Sequence, residues 1–175
     1  SETFPAPGSE DQLSLQKDKK RGAIRQNHAN LLASLRARPE WQGVVGLNEF
    51  SKTLWLFKPI PRADGKIPNK WSPRQFTDED VAEAVEYFQL GDFPTVSADK
   101  VQMAISQFAN QNGRFHPVRD YLNSVEWDGT DRLDDWLSTY CNASTETGEL
   151  RRYVEAVGTR WMISAVARIM VPGCQ

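Results

Sequence analysis

Apolar residues recur every three or four positions in several segments of the chain, which predicts amphipathic helices. Pro39 ends the first of these patterns, because proline lacks the N–H that a helix interior needs. We expect His28 to pack within this helix, since no second metal ligand accompanies it. The pattern consists of Ile24, His28, Leu31, Leu32 and Leu35.

Two further helices are predicted in the middle of the chain. One begins at Thr77 with a capping-box-like start and ends at Gly91; the next begins at Ser97 and ends at Gly113. Two helices joined this closely fit a helix-turn-helix motif. However, the pair carries seven acidic residues and only Lys100 as a base. We therefore interpret it as a scaffold or protein-contact element.

Alternating apolar residues predict one β-hairpin, with strands over 44–50 and 53–57 separated by Ser51 and Lys52. Trp55 and Phe57 share one face of the second strand. Aromatic rings beside lysines are able to stack bases, while core packing is the alternative role for at least one face. The predicted fold is α+β and predominantly α-helical, with this one small β-hairpin. In one interpretation the hairpin is the wing of a winged-helix arrangement.

Charge is distributed unevenly along the chain. Residues 1–75 contain thirteen Lys and Arg against seven Asp and Glu, whereas residues 76–175 contain eight against sixteen. Nucleic-acid binding depends on a local basic face rather than on net charge. The basic front half is therefore where we expect DNA to bind.

Two basic segments stand out in this half. Residues 17–25 form either a solvated linker or a phosphate-contacting arm, and residues 59–73 form a polar, proline-containing loop. Residues flanking the hairpin and the loop complete the candidate set. The candidate nucleic-acid-binding residues are Lys17, Lys19, Lys20, Arg21, Arg25, Lys52, Lys58, Arg62, Lys66, Lys70 and Arg74.

The most distinctive stretch begins at Phe115 with the residues FHPVRDYL and continues with Trp-Asp-Gly and Arg-Leu at 127–129 and 132–133. Pro117 suits the first turn of a helix, and Asp128-Gly129 is a turn dipeptide. Trp127 is expected to anchor the corner between this helix and a short helix that carries Leu133, Trp136, Leu137 and Tyr140. A long helix is predicted over 149–171.

These motifs, together with residues 157–173, resemble the virulence-associated protein E family of primase-helicase-like ATPases from phages and other mobile elements. The resemblance is specific from Arg114 onward and looser over 41–112. It implies that the long helix packs on an ATPase core. Without that core, some of its apolar residues should be exposed and invite association. They are Trp161, Met162, Ile163, Val166 and Met170.

The chain contains no phosphate-binding loop of the G-x-x-x-x-G-K-[ST] type. The resemblance places that loop after Pro172-Gly173-Cys174. We therefore expect no cofactor in this chain, and ATP and Mg only in a full-length parent. No catalytic or metal site is predicted, because the histidine of the motif has no second His or Cys partner. Cys141 and Cys174 match no metal or redox spacing.

The polar motif residues are instead expected to fix a structural corner, with Arg119, Asp120, Asp128 and Arg132 in one network. The corner set is His116, Pro117, Arg119, Asp120, Trp127, Asp128, Gly129 and Arg132.

Three segments are predicted: a mobile tail over 1–20, an accessory domain over 21–113, and the helical start of the ATPase region over 114–175. The functional hypothesis is a cytoplasmic accessory portion of a helicase or primase-helicase, with DNA, an ATPase domain and a second copy as partners. No membrane segment is expected. The alternative is a protein-interaction or oligomerisation module that does not bind nucleic acid.

Overall fold

A computed structural model describes residues 15–19, 22–62, 64–66, 68 and 70–173. The chain divides into two compact units, Ser1–Phe115 and His116–Gln175. Most of the predicted tail lies outside the described residues.

The described residues of unit 1 form three α-helices, a short 3-10 helix and four strands. The α-helices are α1 (His28–Ala37), α2 (Asp78–Leu90) and α3 (Ala98–Asn112), and the 3-10 helix spans Pro39–Trp41. The strands are β1 (Val45–Asn48), β2 (Thr53–Leu56), β3 (Arg74–Gln75) and β4 (Arg114–Phe115). The predicted class, predominantly helical α+β, is confirmed.

The strands form one sheet in the order β3-β2-β1-β4. β1 and β2 are the predicted hairpin, but their turn spans four residues rather than two. Asn48 closes it, because its side-chain Oδ1 accepts hydrogen bonds from the backbone N–H groups of Phe50 (2.9 Å) and Ser51 (3.2 Å). β3 pairs with β2 antiparallel and β4 pairs with β1 in parallel.

The core of unit 1 lies between α1, α2, α3 and the sheet. Trp41 is fully buried, and its ring stacks on Phe88 with the ring centres 5.7 Å apart. The apolar residues at helical spacing in α3 are buried: Val101, Ala104, Ile105 and Phe108.

The start of α1 differs from the prediction. Asn27 caps this helix by accepting the N–H of Asn30 at 2.9 Å, so the helix begins at His28. Ile24 instead pairs with Lys17 in an antiparallel bridge, although it still packs against the core. An apolar residue can satisfy a helical spacing from outside the helix when a cap intervenes.

Over residues 116–173, unit 2 forms three helices: α4 (Pro117–Ser124), α5 (Trp136–Cys141) and α6 (Gly148–Met170). α5 lies close against α6 at Gly158, where an added Cβ would stand 2.8 Å from Nε1 of Trp136 and 3.0 Å from Cδ1 of Leu137. The rings of Trp136 and Trp161 lie 5.3 Å apart. None of the helices in the described part of the chain has the length and hydropathy that a membrane span needs.

Candidate nucleic-acid interface and family motif

The described residues before and after positions 20 and 21 in the first basic segment pair through backbone hydrogen bonds. The backbone N–H of Asp18 donates to the carbonyl of Ala23 (2.8 Å), and that of Arg25 donates to the carbonyl of Gln16 (2.9 Å). We call residues 16–19 and 22–25 the basic hairpin. Its exposed cations are Lys17, Lys19 and Arg25. The other two candidates of this segment, Lys20 and Arg21, lie outside the described residues.

A buried side chain in α1 holds the basic hairpin in place. The amide Nδ2 of Asn30 donates to the carbonyls of Gln16 (2.8 Å) and Arg25 (2.9 Å), and its Oδ1 accepts the N–H of Gln16 (2.8 Å). Asn30 is only 2% exposed. Buried amides that use both donor and acceptor fix geometry strongly, because leaving either unpaired is costly. The hydrogen bonds of Asn30 therefore hold both strands of the basic hairpin against α1.

The loop cations are largely engaged with the protein itself. Arg62 pairs with Glu83 of α2 at 2.9 Å, and Lys66 pairs with Asp64 at 3.2 Å. Lys58 donates from Nζ to the carbonyl of Gln42 at 2.8 Å. A phosphate would have to compete with carboxylates for the first two of these cations.

Among the candidate nucleic-acid-binding residues, Arg74 makes the strongest contacts with other side chains. Its guanidinium donates twice to the carboxylate of Asp80, at 2.7 and 2.6 Å, and lies 5.3 Å from the ring centre of Trp71. Burial alone would raise the pKa of Asp80, but hydrogen bonds from Arg74 and Thr77 outweigh it and hold that pKa below its ordinary value. This network fixes the start of α2 and the end of the loop.

Five candidates have neither an ion pair nor a side-chain hydrogen bond with any residue that the structure describes. Three lie on the basic hairpin, one in the β1–β2 turn and one in the loop; all are exposed. Lys52 of the turn has a positive φ of 59°. These unpaired cations are Lys17, Lys19, Arg25, Lys52 and Lys70.

The first half of the family motif is a helix cap. His116 precedes Pro117, and its Nδ1 accepts the backbone N–H of Arg119 at 3.0 Å. The carboxylate of Asp120 accepts the backbone N–H of His116 at 3.2 Å. The two bonds are reciprocal in the manner of a capping box, with histidine in place of the usual Ser or Thr. The imidazole therefore has a structural use here.

The second half of the motif is a tight turn. Asp128 accepts the N–H of Thr130 at 3.0 Å and binds the guanidinium of Arg132 through both oxygens, at 2.8 and 2.7 Å. The hydrogen bonds from Arg132, and secondly from Thr130, hold the pKa of Asp128 well below its usual range. Gly129 has a φ of 81°, a conformation that favours glycine.

The prediction that Trp127 anchors a corner between helices is wrong. Its ring is 76% exposed, and its indole N–H donates to the nearby carbonyl of Thr130 at 3.3 Å. Asp120 and Asp128 each bond within their own turn rather than in a shared network. An aromatic side chain is buried only where a second surface covers it, and sequence periodicity does not reveal that surface.

Residues 122–175 match the Virulence-associated protein E-like domain. This confirms the predicted resemblance over that part of the chain. The matched region begins within α4 and contains the Asp128 turn, α5 and the described part of α6. No curated protein matches the chain.

The virulence-associated protein E-like region carries an exposed apolar surface. Four of the five apolar residues that we expected to find uncovered on α6 are exposed, by 40% to 59% of their surface. Only Val154 and Gly158 are buried in this helix. The exposed four are Trp161, Ile163, Val166 and Met170.

In the described part of the chain, no three His, Cys, Asp or Glu residues are grouped so as to hold a metal ion. The Cys141 thiol is free and exposed, and Cys174 lies outside the described residues. The described site is thus a set of exposed cations in unit 1 and an exposed apolar helix in unit 2.

Proposed function

We propose that this chain is the accessory portion of a replicative helicase or primase-helicase of a mobile element. In this proposal unit 1 contacts DNA, unit 2 positions an ATPase motor domain, and the chain itself is not catalytic. The observation that carries the proposal is the virulence-associated protein E-like match over 122–175, together with the uncovered apolar residues of α6.

The basic hairpin is the best candidate for the DNA contact. Its three described cations are exposed and have no carboxylate partner among the described residues, unlike Arg62, Lys66 and Arg74. Because Asn30 fixes the backbone on which they stand, less conformational entropy is lost when they meet phosphates. Their contribution should fall with salt, because binding releases counterions from DNA.

The α6 surface is the candidate for contact with the motor. Trp161 and Ile163 are both more than half exposed. Exposed apolar patches of this kind mark protein interaction sites in soluble proteins. Docking on an ATPase domain would remove this surface from water.

Fluorescence anisotropy of labelled duplex and single-stranded DNA at two salt concentrations tests the DNA contact. Changing Lys17, Lys19, Lys20 and Arg21 together to Ala should weaken binding and flatten its salt dependence, because phosphate contacts are lost. If this variant keeps wild-type affinity and salt dependence, the basic hairpin is not the DNA contact.

A variant pair with equal loss of charge provides the matched control. Lys17→Ala with Lys19→Ala removes two unpaired cations, whereas Arg62→Ala with Lys66→Ala removes two cations that already pair with carboxylates. The first pair should reduce DNA affinity more than the second. Equal reductions would indicate a nonspecific effect of net charge.

The second candidate function is a protein-interaction or oligomerisation module. The exposed residues of α6 favour it, and so does the acidic surface of α2, where Asp78, Glu79 and Glu86 are exposed. Sedimentation velocity over a range of protein concentrations separates the two functions. Concentration-dependent association together with absent DNA binding at low salt would establish the module.

A further inference from the structure

The sheet of unit 1 has a second face that the core does not use. Leu56 is fully buried on the core side, so the alternation of β2 places Trp55 and Phe57 on the other side. The strand register puts Gly46 beside Trp55 on this second face. Phe115 of β4 contacts both rings, with ring centres 5.0 Å from Phe57 and 6.4 Å from Trp55.

Because Gly46 has no side chain, the rings of Phe57 and Phe115 pack directly against the backbone of β1. A Cβ at this position would stand 2.7 Å from Cε2 of Phe57 and 3.4 Å from Cδ1 of Phe115. The rings therefore occupy the space that a side chain of β1 would fill. The cluster is fixed by packing yet open to solvent, since Phe57 is 39% exposed and the other two rings are half-buried.

The surroundings of the rings are neutral or basic. Thr53 accepts the indole N–H of Trp55 at 3.3 Å, and the exposed Gln75 pairs with Trp55 across the sheet. Lys52 and Lys58 stand at the two ends of β2. Lys52 has no ion pair with a described residue, and Lys58 bonds only a backbone carbonyl among them, so neither lysine pairs with a described carboxylate.

We propose that this aromatic face, formed by Trp55, Phe57 and Phe115 over Gly46, binds single-stranded nucleic acid by stacking unpaired bases. Planar rings suit the π-faces of bases, and the lysines at both ends of β2 suit the phosphates on either side. In a duplex the base faces are stacked on one another and cannot reach the rings. This inference rests on the proposed function, in which unit 1 contacts DNA, and adds that single-stranded rather than duplex DNA binds this face, which is separate from the basic hairpin.

Anisotropy of a labelled oligothymidylate and of a labelled hairpin duplex, each with the full chain, tests this proposal. Phe57→Leu keeps an apolar side chain but removes the ring, and should weaken oligothymidylate binding about fivefold or more. Duplex binding should stay unchanged. Phe57→Tyr keeps the ring and should retain wild-type affinity. Tyr140→Leu removes a ring that is 77% exposed elsewhere, and should have no effect.

Thermal melting of each variant shows whether the protein is folded, because the Phe57 ring also packs on Phe115. Should Phe57→Leu fail to fold, the double substitution Lys52→Ala and Lys58→Ala tests the same face, and it should weaken oligothymidylate binding more than duplex binding.

Several results would overturn the proposal. Unchanged oligothymidylate affinity in a folded Phe57→Leu protein, or an equal loss of duplex affinity, removes the stacking role but leaves the basic hairpin as a DNA contact. Self-association that Phe57→Leu abolishes while oligothymidylate affinity is kept would assign the face to a second copy. If neither the oligothymidylate nor the duplex binds, both the stacking site and the proposed DNA contact are overturned.

Discussion

Trp41 in unit 1 and Trp161 in unit 2 show how differently the two units use apolar side chains. Trp41 is fully buried and stacks on Phe88, whereas Trp161 is 58% exposed although it touches Trp136. Unit 1 has a continuous core drawn from three helices and a sheet. In α6, the longest described helix of unit 2, only Val154 and Gly158 are buried.

The two units therefore obtain their stability in different ways. Burying apolar surface contributes about 25 cal/mol per Å², and unit 1 gains this from its own residues. Unit 2 leaves much of its apolar surface in water. We infer that unit 1 is stable on its own residues, while unit 2 gains further stability when another protein surface covers α6.

The largest expected effect comes from Trp41→Ala. Removing a fully buried tryptophan leaves a cavity and should lower the free energy of unfolding of unit 1 by about 3–5 kcal/mol. Chemical denaturation followed by circular dichroism measures this change. The matched substitution Trp161→Ala removes an exposed ring and should cost much less. Equal losses of unfolding free energy in the two variants would contradict the inferred difference between the units.

Gly158→Ala should have a smaller effect that is confined to unit 2. The new Cβ would meet the Trp136 indole at 2.8 Å and Leu137 at 3.0 Å, so these side chains, or α5 with them, must shift away from α6. Overpacking of this kind costs about 1–3 kcal/mol. Thermal unfolding followed by near-UV circular dichroism, to which the tryptophans of both units contribute, should begin at a lower temperature than in the wild type.

Gly148→Ala is the control for this change. Gly148 is also in α6, but an added Cβ would meet nothing within 4 Å. Alanine favours helix over glycine by up to about 1 kcal/mol, so this variant should be as stable as the wild type or slightly more stable. If both alanines have the same effect, close packing of α5 on α6 does not hold unit 2 together.

Elements specified by local sequence were predictable. α2 has a capping box at Thr77, α3 follows Ser97 at its N-cap position, both helices have apolar stripes, and the β1–β2 hairpin has alternating residues. α6 was predicted within one residue at each end because its helical pattern is long and Pro172-Gly173 follows it. Exposure on α6 was foreseen through the family resemblance, whereas the apolar periodicity alone would have placed Trp161 inside.

Features that depend on distant partners were not predictable. β3 and β4 are two residues each and exist only because the hairpin pairs with them. Asn30 looks like an ordinary polar helix residue, yet its bonds to Gln16 lie fourteen positions away in sequence. Asn30 lies outside the apolar stripe of this helix, so the helical spacing gave no signal of its role. The carboxylates that neutralise Arg62 and Arg74 likewise belong to α2 and needed the tertiary structure to be recognised.

Two arginine–aspartate pairs provide the finest comparison. Arg74–Asp80 in unit 1 and Arg132–Asp128 in unit 2 are both bidentate, but Asp80 is 2% exposed by its side chain and Asp128 is 54% exposed. Exposed pairs are screened by water and salt and contribute little to stability. The same hydrogen-bond geometry should therefore stabilise unit 1 more than unit 2.

Acid unfolding separates the two pairs. The pKa of Asp80 is lower in the folded chain than its ordinary value of 3.8, so its stabilisation is fully present above pH 3.8 and is lost as the pH falls through the lowered pKa. Asp80→Asn should remove this component from the pH dependence of unfolding, measured at moderate salt. Asp128→Asn should leave the profile nearly unchanged, because its pair is solvated. A larger change in the Asp128→Asn profile would show that the turn of the family motif stabilises unit 2 by more than its exposure implies.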